Sequence, residues 1–462
     1  MRAHWGSKLG FILATAGSAI GLGNIWRFPY LAGQYGGGVF LLTYLCCVIF
    51  LGYFLLSAKL TFGRIAQTNL VDGFRIVGEK ANISVSRFWG YIGGGLGFLN
   101  ALLVSAVYVI VLGWTASYVW NGGLLLFGFS DTSIDEHLFQ KLTSSFFQQL
   151  FWGIFCIVLT TLVIVKGVKQ GIERVSLWLM PILFFLLIFM VVWMIFLPDS
   201  GKGILFFLTP DWTRAGFTAN GFQINQFADL LLAAFGQAIY SLSLGMGVAF
   251  IYGSYLSTNS NIKTSTRWIV FLDTLVAFLS GLIVLPAVFA FGLEPNQGPA
   301  LSFISLPLIF SKMTAGIFLM FLFFVLLFLA ALTSLISIYE AIVSLMIDKF
   351  HYSRLKSTII MGTLNILFSI IVLFSFTKTI DFTIFGQDLF TFTDKITGSY
   401  TMLIMVFFCC LFMGWKISDL LIQNIGLGSQ KHQSRLFKTY FRWTLRLTAP
   451  AIMLILFITA CL

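Results

Sequence analysis

Two glycine-rich runs hold the residues with the most chemical potential in this chain. The first reads Gly17-Ser18-Ala19-Ile20-Gly21-Leu22-Gly23-Asn24-Ile25-Trp26-Arg27-Phe28-Pro29. The second reads Gly236-Gln237-Ala238-Ile239-Tyr240-Ser241-Leu242-Ser243-Leu244-Gly245-Met246-Gly247. Each lies in the middle of an apolar stretch, and glycine and asparagine there are poor helix formers. A helix interrupted at membrane depth leaves peptide groups that must face a cavity, other protein or a ligand. Freed carbonyls suit a small hard cation such as Na⁺, and the N-terminus of a half-helix suits a carboxylate. The same glycines could instead let helices pack closely through small-residue contacts. Two such runs five spans apart, each with polar partners, favour the broken-helix reading.

The ionisable candidates are few. Asp273 is a lone carboxylate inside an apolar stretch, a costly placement that usually marks function; the alternative is a charge near a span end paired with Arg267 or Lys263. Arg27 follows 18 residues without a charge, positions 9–26. Lys59 lies within the next apolar run, where it could snorkel to the interface or pair with Asp273 or Glu340. No nucleotide-binding loop, metal-ligand cluster or nucleophile–base set is present, and His4, His137, His351 and His432 fall in loops or at the N-terminus. The six cysteines lie in apolar segments without CxxC spacing, as small core or lipid-facing residues do. The chain is not expected to be an enzyme.

The elements that position these residues are membrane spans. Of the 462 residues 58% are hydrophobic and 10% charged, against about 25% charged in soluble domains. So much apolar surface exceeds what one soluble core absorbs. The net charge of +11 therefore bears on which side of a membrane the cations occupy, and no nucleic-acid partner is expected. Runs free of Asp, Glu, Lys and Arg predict eleven spans, near 8–31, 37–63, 88–121, 148–166, 175–198, 225–256, 268–292, 311–348, 356–377, 395–417 and 441–462. The last is the weakest, with Trp443 and neighbouring arginines as its interfacial anchor. Twenty of the 28 Lys and Arg residues then fall on one side and six on the other, with Arg27 and Lys59 inside spans. The positive-inside bias predicts an inner (plasma) membrane protein with a cytoplasmic N-terminus and Leu462 outside. No cleaved signal peptide and no soluble domain are expected; prolines in 199–221 and 293–310 predict short helices or turns there.

With the spans in place, a family resemblance is legible. Trp5-Gly6-Ser7-Lys8-Leu9-Gly10, the run Gly17 to Tyr30, Gly36-Gly37-Gly38, Ser241-Leu242-Ser243-Leu244-Gly245 and Ala331-Leu332-Thr333-Ser334 resemble motifs of the neurotransmitter:sodium symporter family. The resemblance implies an all-α membrane protein with about 11 transmembrane helices. It implies one transporter domain, 1–462, with a LeuT-like 5+5 inverted repeat: spans 1–5 within 1–198, spans 6–10 within 225–421, and span 11 at 441–462, with spans 1 and 6 broken. It implies two sodium sites. The first is formed by Ala19, Asn24, Ser241 and Asp273 with the substrate carboxylate. The second uses carbonyls of Gly17, Ile20 and Ala330 and hydroxyls of Thr333 and Ser334, which otherwise would back-bond to their own helix. The implied substrate pocket is Ala19, Leu22, Gly23, Val104, Tyr108, Tyr240, Ser241, Ser243, Met246, Ser334 and Ile338. There Tyr108 would offer its hydroxyl to a carboxylate, unless it simply packs between helices. Arg27 and Asp394 resemble an outer gate; Arg2 and Asp348, with Trp5, resemble an inner latch.

Three departures refine these expectations. Position 21 is glycine where the family's monoamine carriers have aspartate, which suits an amino acid that brings its own carboxylate. The rest of the pocket is apolar or aromatic, so a hydrophobic or aromatic amino acid is expected. Lys59 stands where the family usually has a glutamate, which leaves ion coupling open. Ala277 stands where chloride-dependent members have a serine, so with Asp273 supplying fixed negative charge, chloride is not expected. The leading function is sodium-coupled symport of such an amino acid across the lipid bilayer by alternating access. A receptor that binds the same ligand without moving it, and a channel, are the alternatives. A channel would want a continuous polar pore, and a receptor a signalling domain. The sequence leaves the oligomeric state open.

Overall fold

The computed structural model describes residues 3–83, 86–129, 134, 137–218, 221–293, 301–380, 382–427 and 433–461. Among them nine helices are long and apolar enough to cross a membrane, and ten if one bent pair counts as a span. The bent pair is span 1, Lys8–Ala19 and Gly23–Gln34, with 55° between its halves. Gly38–Ala66, Ser86–Leu126, Phe146–Val165 and Val168–Ile195 form spans 2 to 5. Ile262–Ala290, Gly316–Phe350, Arg354–Phe376, Leu389–Lys416 and Arg435–Cys461 form spans 7 to 11. The eleventh expected segment, span 6, is two helices, Ile224–Ser241 and Val248–Ser254. Neither half meets the length and composition of a full crossing, because six residues between them are not helical. Span 11 reaches full length through Arg435–Trp443, whose basic residues extend the short charge-free run towards the interface.

The helices begin where side chains satisfy the first free amides. Ser7 caps span 1 by accepting from the Gly10 amide at 2.9 Å, and Asn261 caps span 7 by accepting from Thr264 at 3.1 Å. The loops hold helices Leu70–Lys80, His137–Ser144, Ser200–Leu208, Leu301–Ser311 and Ser418–Ile425, of which the sequence indicates only the third and fourth. Two short hairpins pair Phe217–Thr218 with Gly221–Phe222 and Thr383–Ile384 with Gln387–Asp388. The expected short helices in 199–221 and 293–310 are Ser200–Leu208 and Leu301–Ser311, as far as those stretches are described.

Burial orders the spans from centre to rim. In span 8 72% of the most apolar window is buried, in span 11 28%. Span 8 packs along span 3 and also against spans 1 and 5. Spans 4, 5, 9 and 11 turn Phe151, Leu162, Phe185, Ile371 and Leu454 outwards, the surface a bilayer covers. Spans 3 and 7 follow span 8, each with 61% of that window buried, and the candidate site lies among these spans and the two broken ones.

Candidate functional site

Span 1 leaves the helix at Ile20, whose backbone is extended (φ −69°, ψ 104°), and resumes at Gly23. Gly21 sits in this gap, where a larger residue would make neighbouring side chains shift. A Cβ there would lie 2.7 Å from Ser334 Oγ and 2.9 Å from the Tyr108 hydroxyl. Span 6 breaks between Ser241 and Val248. Its turn uses left-handed backbone at Gly247 and at Ser243 (φ 48°), a costly conformation for serine that persists where neighbours hold it. The two breaks meet: Ser243 Oγ donates to the Ser18 carbonyl at 3.1 Å.

One polar cluster joins spans 1, 6 and 7. Asn24 Nδ2 donates to Ser241 Oγ at 3.0 Å, to the Asp273 carbonyl at 3.0 Å and to Asp273 Oδ1 at 2.8 Å. Ser241 Oγ donates to Asp273 Oδ2 at 2.7 Å and to Oδ1 at 2.9 Å. All three side chains are buried, Asp273 with no exposed surface. Asp273 therefore pairs with neither Arg267 nor Lys263. A fully buried carboxylate held only by neutral donors is short of positive charge. An oxygen-rich set with one anion is what a hard alkali cation prefers. Beside it Gln237 Nε2 donates to the Gly23 carbonyl at 2.8 Å, while Gln237 Oε1 is buried without a partner among the described residues. Ala277 is buried on the same helix as Asp273.

A second convergence lies on the other side of the span 1 break. Ser334 Oγ is 3.2 Å from the Ile20 carbonyl, 3.3 Å from Ser18 O and 3.4 Å from Gly17 O. Thr333 lies beside it, its Oγ1 3.5 Å from where a Cβ on Gly17 would stand. Its hydroxyl donates to Ala330 O at 3.0 Å and Leu329 O at 3.1 Å within its own helix. Back-bonding of this kind is the ordinary alternative for a threonine in a helix. Ser18 and Ser337, which the sequence did not single out, join the two spans at 2.7 Å.

Above the breaks lies a cavity of about 460 Å³, within the range of small-ligand sites. Leu22, Gly23, Val104, Tyr108, Tyr240 and Met246 line it, as do Trp26, Trp114, Phe376 and Phe390. Ala19, Ser241, Ser243, Ser334 and Ile338 do not line it. Tyr108 acts as an acceptor, taking a long 3.5 Å bond from the Leu22 amide. The cavity runs past Arg27 and Asp394 to Phe139, Thr143 and Lys395, at the Lys/Arg-poor end. Arg27 lies 5.1 Å over the Tyr240 ring rather than in an ion pair with Asp394.

The opposite end is closed. Trp5 Nε1 donates to the Tyr252 carbonyl at 3.0 Å, and its ring packs on Phe11, Tyr252 and Tyr255. Asp348 accepts from Thr68 at 3.5 Å. Arg2, the implied partner of Asp348, lies outside the described residues. The sequence missed Glu173, which is buried and accepts from the Gly6 amide at 2.6 Å and the Ser7 hydroxyl at 2.7 Å. It also missed Asn100, whose amide donates to the Gly245 carbonyl at 3.1 Å and whose oxygen accepts from Thr401 at 2.5 Å. An amide inside the apolar stretch 88–130, with the next one only at Asn121, was the available signal. Lys59 follows none of its three expected roles. It is buried rather than snorkelled, and its ammonium donates to the Leu244 carbonyl in the span 6 break. Glu340 pairs instead with Arg354, at 2.7 and 2.9 Å, and with the Tyr255 hydroxyl at 2.5 Å.

Comparison with known proteins gives one consistent result. The chain matches the sodium:neurotransmitter symporter family over residues 2–124 and 139–462. It is 36% identical over 461 residues to a sodium-dependent transporter of Bacillus subtilis, covering 98% of this chain and 97% of that one. It is 32% identical over 469 residues to one of Haemophilus influenzae, covering 99% and 98%. The crystal structure of MhsT in complex with L-phenylalanine superimposes with a TM-score of 0.85 at 34% identity over the full length of both chains.

Proposed function

Because the chain belongs to the sodium:neurotransmitter symporter family, we propose that it imports a hydrophobic or aromatic amino acid by sodium-coupled alternating access. The contact of the two helix breaks, Ser243 Oγ to Ser18 O at 3.1 Å, carries this reading. It sets carbonyls, half-helix ends and the Asp273 cluster within one small volume. The substrate sits in the cavity with its side chain among Val104, Tyr108, Tyr240 and Met246, and L-phenylalanine in MhsT supports that class. Gly21 supports a zwitterion, since it brings no carboxylate of its own to the pocket and the substrate must supply one.

Sodium binds at two places in this proposal. The first is the Ala19, Asn24, Ser241 and Asp273 set; the second is formed by the Gly17, Ile20 and Ala330 carbonyls with Ser334, and Thr333 joins once its hydroxyl turns from its own helix. Asp273 supplies the fixed negative charge that makes chloride unnecessary. Spans 1–5 and 6–10 form the two halves of an inverted repeat, and the N-terminus is cytoplasmic. The open path past Arg27 and Asp394, with Trp5 docked at the other end, corresponds to an outward-facing state.

The test is uptake of radiolabelled L-phenylalanine into proteoliposomes. An inward sodium gradient should drive accumulation that potassium or choline does not. Asp273→Asn keeps the shape of the cluster and removes its charge. It should lower apparent sodium affinity at least tenfold, about 1.4 kcal/mol, while the purified protein stays folded. Phenylalanine that binds but never accumulates under the gradient would favour the receptor alternative.

A further inference from the structure

At the Lys/Arg-rich side of the molecule, spans 2, 7 and 11 meet around three cations. Lys263 and Arg267 stand on the first turns of span 7, Lys438 on the first turn of span 11. The Lys263 ammonium lies 4.2 Å over the Phe437 ring. The charged groups acting on it are Arg267 and Lys438, both cations. Arg267 lies beside the Tyr53 hydroxyl of span 2. Among the described residues none of the three forms an ion pair, whereas nearby Arg442 meets Asp419 at 2.6 Å. Like charges at this spacing repel, and the N-terminus of a 29-residue helix adds further positive potential. The arrangement lacks an anion.

Depth indicates where that anion comes from. Trp268 follows Arg267 on span 7, and Trp443 lies on the same helix as Lys438; both are more than half exposed. Exposed tryptophans on adjacent spans mark the headgroup level of a bilayer. Phe50 of span 2 and Leu436 of span 11 are exposed, and Tyr440 ties span 11 to span 2 by packing on the Phe50 ring and donating to the Phe50 carbonyl at 3.3 Å. We propose that Lys263, Arg267 and Lys438 seat the phosphate of an anionic phospholipid from the leaflet on the Lys/Arg-rich side, its acyl chains lying along Phe50 and Leu436. Basic recesses between spans on this side of a membrane are suited to such headgroups. A bound lipid fastens the start of span 7 to spans 2 and 11, six residues before Asp273.

The experiment uses the full chain in detergent and reads the thermal midpoint and lipid retention in native mass spectra. Phosphatidylglycerol should raise the midpoint, while phosphatidylcholine with the same acyl chains and inorganic phosphate should not. At roughly fivefold per cation near an anionic surface, Lys263→Gln, Arg267→Gln and Lys438→Gln together should weaken phosphatidylglycerol binding about a hundredfold. Lys349→Gln with Lys356→Gln, elsewhere on the same side, should leave it unchanged. If the triple variant does not fold, Lys438→Gln alone, an exposed site, should still show the fivefold loss. Undiminished phosphatidylglycerol affinity in the variants overturns the proposal. So does equal protection by phosphatidylcholine, or protection by inorganic phosphate alone. None of these readouts depends on which solute is transported.

Discussion

At Lys59 a positive charge is buried against a backbone carbonyl. A glutamate at this position can accept hydrogen bonds from freed amides, whereas lysine can only donate. In this chain the lysine therefore meets a carbonyl of the span 6 break. Leu244 O meets Lys59 of span 2, and the next carbonyl, Gly245 O, meets Asn100 of span 3. Removing the donor leaves a buried acceptor unpaired, at a cost of about 1–3 kcal/mol. Thermal midpoints in detergent should fall in the order Lys59→Gln, Lys59→Met, Lys59→Glu, with glutamate worst because it sets a carboxylate against a carbonyl. A Lys59→Glu protein as stable as wild type would mean the break can turn its amides to span 2 instead. The sequence identified Lys59 as out of place but not its partner, since Leu244 is 185 positions away and contributes a peptide oxygen that no residue type announces.

At the scale of elements, the N-terminal helix is held by a carboxylate from another span. Glu173 accepts from the Gly6 amide and the Ser7 hydroxyl, next to the free amides at the start of span 1. An anion there is favoured by the helix dipole and by charge-assisted bonds. Trp5 adds an apolar anchor on Tyr252 and Tyr255. In the alternating access proposed above, both contacts would have to break for the start of span 1 to move. Glu173→Gln weakens the first without changing its shape. Amides of residues 6–11 should then exchange with deuterium about tenfold faster, read by mass spectrometry, while amides of span 8 stay unchanged. Equal exchange in both proteins would show that Trp5 alone holds the latch. Glycine, hydroxyl and amide residues announced the breaks in spans 1 and 6, because such residues tolerate non-helical backbone. The helices Leu70–Lys80 and Ser418–Ile425 were not read, because they are too short and mixed in character to stand out beside the apolar spans.

For the molecule as a whole, the distribution of Lys and Arg predicts the orientation in the membrane. With twenty cations on one side and six on the other, the N-terminus is expected to face the cytoplasm, and an odd number of spans would send the last residue outside. Reporter fusions should give a cytoplasm-active enzyme at the N-terminus and a periplasm- or exterior-active one at the C-terminus. Both ends reporting the same side would require an even number of crossings and would remove span 11 as a crossing helix.

Composition, the spacing of charges and glycine placement determined by themselves that the chain is a helical membrane protein, where its spans lie and which two are interrupted. They could do so because lipid imposes a uniform demand on every crossing segment: apolar side chains and paired peptide groups. Which polar groups meet was decided only in three dimensions. Asn24, Ser241 and Asp273 converge from three spans, Thr333 turns to its own helix while Ser334 faces span 1, and Glu173 finds the amide of Gly6. These pairings follow from the crossing of spans far apart in the chain. They involve backbone atoms as often as side chains, and backbone atoms are the same at every position of a sequence.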